Sequence, residues 1–243
     1  MKYFRYMVIA VLVAVTFYMA ADYYSKMAVT QNQDLLFQNC VISTLMAGDF
    51  DSEYTYSEIK KHGNFGIGTF NALDGEMIAL EDNFYQIRSD GRVYPVLNTM
   101  KSPFSAVTFF EADKTIMIRG SMSYSELKAY IDSYIPSKSI IQAIHISGEF
   151  DYIKCRSVYK QSKPYPNLED ALKNQPEFEF KTISGDLVGF RCPDFMQGVN
   201  VAGYHLHFIN SERTGGGHLL DCVIKNVIIQ IDNTEDLYVK LSE

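Results

Sequence analysis

Three of the five histidines in this 243-residue sequence fall within fourteen positions. His205 and His207 read His-x-His in a run of strand-forming residues, and a period of two places both side chains on one face of a strand. A glycine-rich segment, residues 210–217, follows, and His218 begins the next apolar run. If the two runs form a hairpin, His218 returns opposite the pair and the three imidazoles converge.

Three histidines with an open fourth position are a common way to hold a catalytic zinc ion. The spacing of His205, His207 and His218 therefore indicates a candidate Zn²⁺ site. A strand histidine can equally be an ordinary core or surface residue, and the spacing alone leaves both interpretations open. His62 and His145 have no partner nearby in the sequence, so we expect structural roles for both.

A second group of candidate residues lies between positions 66 and 76. Its Gly-x-Gly resembles a phosphate-binding loop, but the Lys-Ser or Lys-Thr that such a loop needs does not follow. The pattern instead predicts a strand, a turn at Asp74-Gly75 and another strand. Glu76 comes directly after this turn, where a carboxylate can point into a cleft.

The four cysteines are too far apart to form a Cys-x-x-Cys metal site. Three of them lie in apolar, strand-like runs, where buried free thiols are common. We therefore predict that none is catalytic. The cysteines are Cys40, Cys155, Cys192 and Cys222.

Composition excludes several classes of protein. Hydrophobic residues make up 47% and charged residues 21%, which excludes a disordered chain, a collagen-like fibre and a multi-pass membrane protein. The net charge of −7 argues against a nucleic-acid partner, because an acidic surface repels phosphates. Aromatic residues reach 14% without any Trp, which favours sheet over helix.

The order of elements predicts an α+β fold with two sheet layers. We expect helices over residues 34–48, 123–134 and 168–174 and a turn or short helix over 57–62. Ser123 and Glu126 form a capping box for the second of these helices, and Pro136 ends it. Strands are predicted over residues 77–80, 83–88, 93–97, 106–110, 116–118, 140–146, 152–159, 186–192, 204–209, 219–231 and 237–241.

Residues 1–21 have the features of an export signal. Lys2 and Arg5 precede a 16-residue uncharged run that is too short to cross a bilayer as a straight helix. The small residues at its end favour cleavage, although Met19 is a poor match to a cleavage site, so an uncleaved membrane anchor stays open. We therefore expect an exported protein, periplasmic or secreted, with residues 22–136 and 137–243 as two further domains.

Long motifs along the chain resemble the signature of the α-acetolactate decarboxylase family and occur in the family's order. The resemblance covers about residues 33–241. Its motifs are residues 203–209, 213–218, 66–71, 73–76, 102–104, 107–110, 156–158, 163–165 and 187–190.

This resemblance implies two mixed α/β domains, each built on a sheet, with a zinc site at their junction, and a homodimer. It implies that His205, His207 and His218 are the zinc ligands, that Glu76 and Arg156 are the active-site glutamate and arginine, and that Arg156 and Thr69 contact the substrate. The implied reaction is the decarboxylation of 2-acetolactate to acetoin in the acetoin and butanediol pathway.

We expect one family feature to be missing. The resemblance implies that the family usually continues past the strand that residues 237–241 resemble, with a glutamate of that extension in the active site; here either another carboxylate substitutes for it, or its contribution is missing and activity or stereoselectivity is reduced. Glu243 does not match this glutamate by motif. An exported zinc-binding or small-ligand-binding protein of the same fold, with reduced or lost activity, is therefore the alternative. A zinc hydrolase is a further alternative, although the His-Glu-x-x-His motif of many such enzymes is absent from the sequence.

Overall fold

The computed structural model describes Thr16 and residues 34–135 and 137–241 of the chain. The predicted export segment, apart from Thr16, and the predicted boundary residue Pro136 lie outside these described residues. The described residues from 34 to 241 belong to one compact unit. The division into domains at residue 136 stays a prediction.

Strands dominate the described residues, which confirms a sheet-rich α+β fold. In chain order they are β1 (Leu35–Asn39), β2 (Phe65–Thr69), β3 (Glu76–Leu80), β4 (Asn83–Ile87), β5 (Val93–Pro95), β6 (Ser105–Thr108), β7 (Lys114–Ser123), β8 (Ile141–Arg156), β9 (Glu177–Cys192), β10 (Gly203–Asn210), β11 (Gly216–Thr234) and β12 (Asp236–Lys240).

These strands form two sheets. The first has seven strands in the order β12-β1-β6-β2-β3-β4-β5, and the second has five in the order β10-β9-β8-β11-β7. β1 and β12 pair in parallel, whereas the other pairings are antiparallel. β10 also pairs with the start of β11, so the second sheet closes on itself at that end.

One apolar cluster joins the two sheets. Leu36, Phe65 and Ile67 of the first sheet and Val188 and Phe190 of the second belong to it, and all five are at most 2% exposed. Burying such side chains on both facing surfaces is worth about 25 cal/mol for each Å² removed from water. The strand ends that carry the candidate site are therefore held by a shared core.

Between residues 34 and 241, the part of the chain that the structure describes without long gaps, four short α-helices accompany the sheets: α1 (Ile42–Ala47), α2 (Tyr56–Ile59), α3 (Tyr124–Asp132) and α4 (Leu168–Leu172). The predicted capping box of α3 is confirmed, with the Glu126 backbone N–H donating to Ser123 Oγ and the Ser123 backbone N–H donating to the Glu126 carboxylate. Among the described residues, none of the helices combines the length and the apolar character that a membrane span requires.

The predicted helix over residues 34–48 is wrong in its first part. Leu35–Asn39 is strand β1, and helix α1 covers Ile42–Ala47. β1 lies between β12 and β6, and Leu36 and Phe37 are fully buried on opposite faces of the strand. A strand buried on both faces has lost the alternation that would distinguish it from a helix.

The strands predicted from residue 77 onward are observed, with different ends. The two strands predicted over residues 140–146 and 152–159 form the single strand β8, which is paired along its length with β9 and β11. All four cysteine side chains are buried free thiols.

Candidate metal centre

The hairpin of β10 and β11 brings three histidines together. His205 and His207 project from the same face of β10, and His207 lies directly opposite His218 of β11. One ligating atom from each of the three rings lies within 4.8 Å of the others. The convergence expected from the His-x-His spacing and the glycine-rich turn is therefore present.

Three strands meet at His218. The residue pairs with His207 of β10 on one side and with Arg156 of β8 on the other, so that Arg156, His218 and His207 form one cross-strand row. Gly217 precedes His218 with φ +149°, and a Cβ atom there would overlap the carbonyl oxygen of Arg156. Glycine is thus required where the three backbones approach one another.

Hydrogen bonds orient the His207 ring. Its Nδ1 lies 2.9 Å from the carbonyl oxygen of Met77, and because a carbonyl can only accept, Nδ1 carries the proton. The Nε2 lone pair of His207 then faces Nδ1 of His218 at 3.3 Å. Nδ1 of His205 is buried without a hydrogen-bond partner among the described residues.

Burial keeps the three imidazoles neutral. Desolvation lowers the pKa of His207 to about 3 and holds the pKa values of His205 and His218 well below the usual value, with the positive charge of Arg156 acting in the same direction. A neutral imidazole is the form that binds a metal ion. Converging neutral ring nitrogens, one of them the unpartnered Nδ1 of His205, therefore fit a metal with nitrogen ligands such as zinc.

An ion pair lies beside the histidines. Nη1 of Arg156, at the end of β8, lies 2.5 Å from Oε1 of Glu76, at the start of β3. The other carboxylate oxygen of Glu76 is 3.6 Å from Nε2 of His207. Burial raises the pKa of Glu76, and the charge and hydrogen bond of Arg156 oppose that increase.

Thr69 lies next to this pair. Thr69 of β2 is the cross-strand partner of Glu76 of β3, and its hydroxyl donates a hydrogen bond to the carbonyl oxygen of Gly75 at 2.7 Å. The turn predicted at Asp74-Gly75 thus places both side chains at the same point of the first sheet.

A cavity of about 280 Å³ connects these residues. Its polar wall contains Thr69, Glu76, Arg156 and the three histidines, and its other wall is largely apolar, with contributions from Ile42, Leu45, Phe104, Val158, Leu168 and Leu172. The structure therefore places all six predicted site residues on one cavity.

Two polar residues of the cavity were not found from the sequence. Gln197 and Asn200 lie on its wall, after a 3₁₀ turn at Asp194–Met196. The Asn200 side-chain amide donates to Oε1 of the buried Gln38 at 2.8 Å. Both residues lie in an irregular segment without a recognisable motif, so the sequence offered no signal for them.

The other two histidines lie outside the cluster. The His62 ring stacks on Phe37 with 3.9 Å between ring centroids. His145 lies between Asp186, whose Oδ1 is 2.9 Å from Nε2, and Gln230, whose Oε1 is 3.1 Å from Nδ1. Both positions agree with the structural roles that we expected.

The fold and the cavity define an α+β protein with a candidate site for one metal ion beside a buried carboxylate–guanidinium pair. Residues 36–243 match the family model of alpha-acetolactate decarboxylase. Alpha-acetolactate decarboxylase of Methylococcus capsulatus is 46% identical over 208 residues, which are 86% of this chain and 80% of that protein. The corresponding protein of Methanosarcina mazei is also 46% identical, over 86% of this chain and 72% of its own length.

Solved structures give the same result. The crystal structure of alpha-acetolactate decarboxylase from Bacillus subtilis strain 168 superposes with a TM-score of 0.85 at 40% identity, covering 86% of this chain and 89% of that chain. The chain belongs to the alpha-acetolactate decarboxylase family.

Proposed function

We propose that the protein decarboxylates 2-acetolactate (2-hydroxy-2-methyl-3-oxobutanoate) to acetoin and carbon dioxide and that it uses zinc to do so. Its family membership and the names of its relatives support the substrate. The observation that carries the proposal is the cluster of three neutral imidazoles that lies beside the Glu76–Arg156 pair in one cavity.

His205, His207 and His218 would hold the metal, because their ring nitrogens converge and are neutral. Bound there, a zinc ion supplies a Lewis acid that favours the build-up of negative charge on the substrate's ketone oxygen. The hydrogen bond from His207 Nδ1 to the Met77 carbonyl fixes which nitrogen of that ring faces the site.

The reaction requires a carboxylate to be held and a proton to be moved. The bond between the substrate's C2 and its carboxylate breaks, the electron pair is delocalised onto the adjacent ketone, and one proton must then be added to C2. The substrate itself provides the electron sink, so the protein residues need only orient the acid and handle the proton.

Arg156 is suited to orient the substrate carboxylate. Its guanidinium lies on the cavity wall and can make paired, charge-assisted hydrogen bonds to an anion. Glu76, held by Arg156 on one side and near His207 on the other, is suited to move the proton, and Thr69 lines the same wall.

Export and assembly are further parts of the proposal. Residues 1–21 direct export and are either cleaved or retained as an anchor, and the chain forms a homodimer with the site near the junction of two domains. Cell fractionation with N-terminal sequencing tests the first point, and light scattering of the purified protein tests the second.

The central experiment adds racemic acetolactate to purified, zinc-loaded protein and measures acetoin and carbon dioxide with and without a chelator. We expect equal amounts of the two products and their loss when the metal is removed. Failure of the zinc-loaded protein to form acetoin would contradict the decarboxylase and favour a zinc-binding or ligand-binding protein. Hydrolysis of esters without acetoin formation would favour the hydrolase.

A further inference from the structure

The loop between the histidine strands is built around one buried side chain. Asn210, at the end of β10, is 5% exposed. Its Oδ1 accepts hydrogen bonds from the backbone N–H groups of Thr214 at 2.8 Å and Gly215 at 3.1 Å, and its Nδ2 donates to Thr214 Oγ1 at 2.9 Å. Its backbone N–H also donates to the Gly215 carbonyl at 2.9 Å. Asn210 thereby closes the loop that leads to His218.

A second interaction fixes the middle of this loop. Arg213 has φ +55°, in the left-handed region, and its backbone N–H donates to the Asn210 carbonyl at 2.9 Å. Nη1 of Arg213 lies 2.6 Å from Oδ2 of Asp186, on the neighbouring strand β9. The loop conformation is therefore held by the Asn210 side chain at its start and by the Arg213 side chain in its middle.

The contact between the two histidine strands is short. β10 and β11 are registered in three pairs, His207 with His218, Phe208 with Gly217 and Ile209 with Gly216. β11 is otherwise held by long pairings with β8 and β7, and β10 by its pairing with β9. The β8 pairing fixes His218 on one side, through Arg156, whereas its contact with the β10 histidines on the other side rests on these three pairs and on the loop that joins the two strands.

Register matters here because side chains alternate. A slip of one residue would turn His218 to the other face of the strand. Asn210 is one position after Ile209, which alternation places on the face of His205 and His207, so the Asn210 side chain projects to the opposite face. Any influence of this side chain on the metal site must pass through the loop.

We propose that Asn210 is a positioning residue for the metal site: by closing the β10–β11 loop it holds His218 opposite His207 and so raises the affinity for zinc. This inference rests on the proposed metal site of the three histidines. Because the long pairings of β8, β9 and β11 do not involve the Asn210 side chain, its loss leaves the fold in place and loosens the closure between β10 and β11.

Three variants test the proposal in the full chain. Asn210→Ala removes all three side-chain hydrogen bonds. Asn210→Asp retains them, since its second oxygen can accept from the Thr214 hydroxyl. Asn226→Ala is the control, because the exposed Asn226 lies on the same strand β11, eight positions after His218, and uses its side chain to bind Glu149 and the Gly120 N–H.

Each variant is stripped of metal and titrated with Zn²⁺ against a chromophoric chelator, and the visible spectrum of the Co²⁺-substituted protein reports the ligand geometry. We expect Asn210→Ala to bind Zn²⁺ about 10- to 100-fold more weakly and to show an altered Co²⁺ spectrum. Asn210→Asp should bind within about threefold of the original protein, as should Asn226→Ala. If Asn210→Ala does not fold, Thr214→Val, which removes one of the three bonds, should show a smaller loss in the same direction.

Unchanged Zn²⁺ affinity in Asn210→Ala, or in Thr214→Val where that variant replaces it, would overturn the inference while leaving the metal site intact. An equal loss in Asn226→Ala would also overturn it, because general destabilisation would then explain the effect. Absence of Zn²⁺ binding by the unsubstituted protein would contradict the metal site itself and, with it, the inference. These outcomes separate failure of the inference from failure of the proposed function.

Discussion

The carboxylate of Glu76 and the guanidinium of Arg156 lie 2.5 Å apart although the two residues are 80 positions apart in the sequence. Glu76 begins a strand of the first sheet and Arg156 ends a strand of the second. Their side chains are 8% and 13% exposed, so each compensates the charge of the other in a site that excludes most water. A pair that is mostly buried is costly to break on one side.

Replacing Arg156 tests its role in holding the substrate. Arg156→Gln leaves Glu76 without its charge partner and removes the paired donors. We therefore expect a loss of about 2–5 kcal/mol of transition-state stabilisation, measured as the decrease in kcat/KM. Arg156→Lys keeps the charge without the planar fork and should recover only part of this loss. Steady-state kinetics on acetolactate give both values. Arg119→Gln, at an exposed position of β7, is the control, and equal effects of the two Gln variants would contradict the assignment.

Replacing Glu76 tests the movement of the proton. Glu76→Gln preserves the shape and an acceptor for Arg156 but cannot take up a proton, and we expect kcat to fall by about 10²- to 10⁴-fold. Metal content should not change, since the three imidazoles are retained. Elemental analysis and acetoin production measure the two effects. The exposed Glu149→Gln serves as the comparison, and full activity in Glu76→Gln would exclude Glu76 as the proton carrier.

The histidines should separate into two functional groups. His205→Ala removes one of the three converging rings, and we expect the purified protein to lose its zinc and its activity together. His62→Ala loses the ring that stacks on Phe37, so it should lower the melting temperature without changing the metal content. Elemental analysis and thermal unfolding measure these results. A His205→Ala protein that retains metal and activity would contradict the assignment of this residue.

Asp232 should make stability depend on pH. Burial raises the pKa of this carboxyl to about 7, and nearby Asp113, Asp34 and Glu111 act in the same direction. The unfolded value is about 3.9, so between these two pKa values only the folded state holds the proton, and stability decreases as the pH rises from about 4 to about 7. In Asp232→Asn this decrease is removed. The difference in melting temperature between Asp232→Asn and the unsubstituted protein should therefore increase, in favour of the variant, by about 2–4 °C or more from pH 5 to pH 8.5.

Thermal unfolding at several pH values measures this difference. Asp151→Asn, at a partly exposed position of β8, is a suitable control, because its side chain is 43% exposed and so keeps much of its contact with solvent. Parallel melting curves for Asp232→Asn and the unsubstituted protein across the pH range would show that Asp232 does not titrate near pH 7.

The histidine site could be predicted from the sequence because its geometry is local. His205, His207 and His218 lie on one hairpin, and the alternation of side chains along strands determines which of them share a face. Glu76 could be placed near a cleft because a turn precedes it. The family motifs supplied Arg156, since nothing in its local sequence indicates a partner 80 residues away.

Other features depend on contacts that local patterns do not contain. β1 is a strand because β12, some 200 residues later, and β6 pair with it on both sides, whereas its residues alone have a helical spacing. Gln197 and Asn200 reach the cavity through an irregular segment whose position is set by Gln38 of the other sheet. Such residues acquire their surroundings only when the two sheets pack together.

The row formed by Arg156, His218 and His207 has a consequence for the thermodynamics of ligand binding. Neighbouring strands are held about 4.7–4.9 Å apart by backbone hydrogen bonds, so the spacing of these side chains is fixed when the sheet folds. Metal binding therefore immobilises few additional side-chain torsions, and the accompanying loss of conformational entropy is small. Calorimetry of metal uptake should accordingly show little of the heat-capacity decrease that accompanies coupled folding.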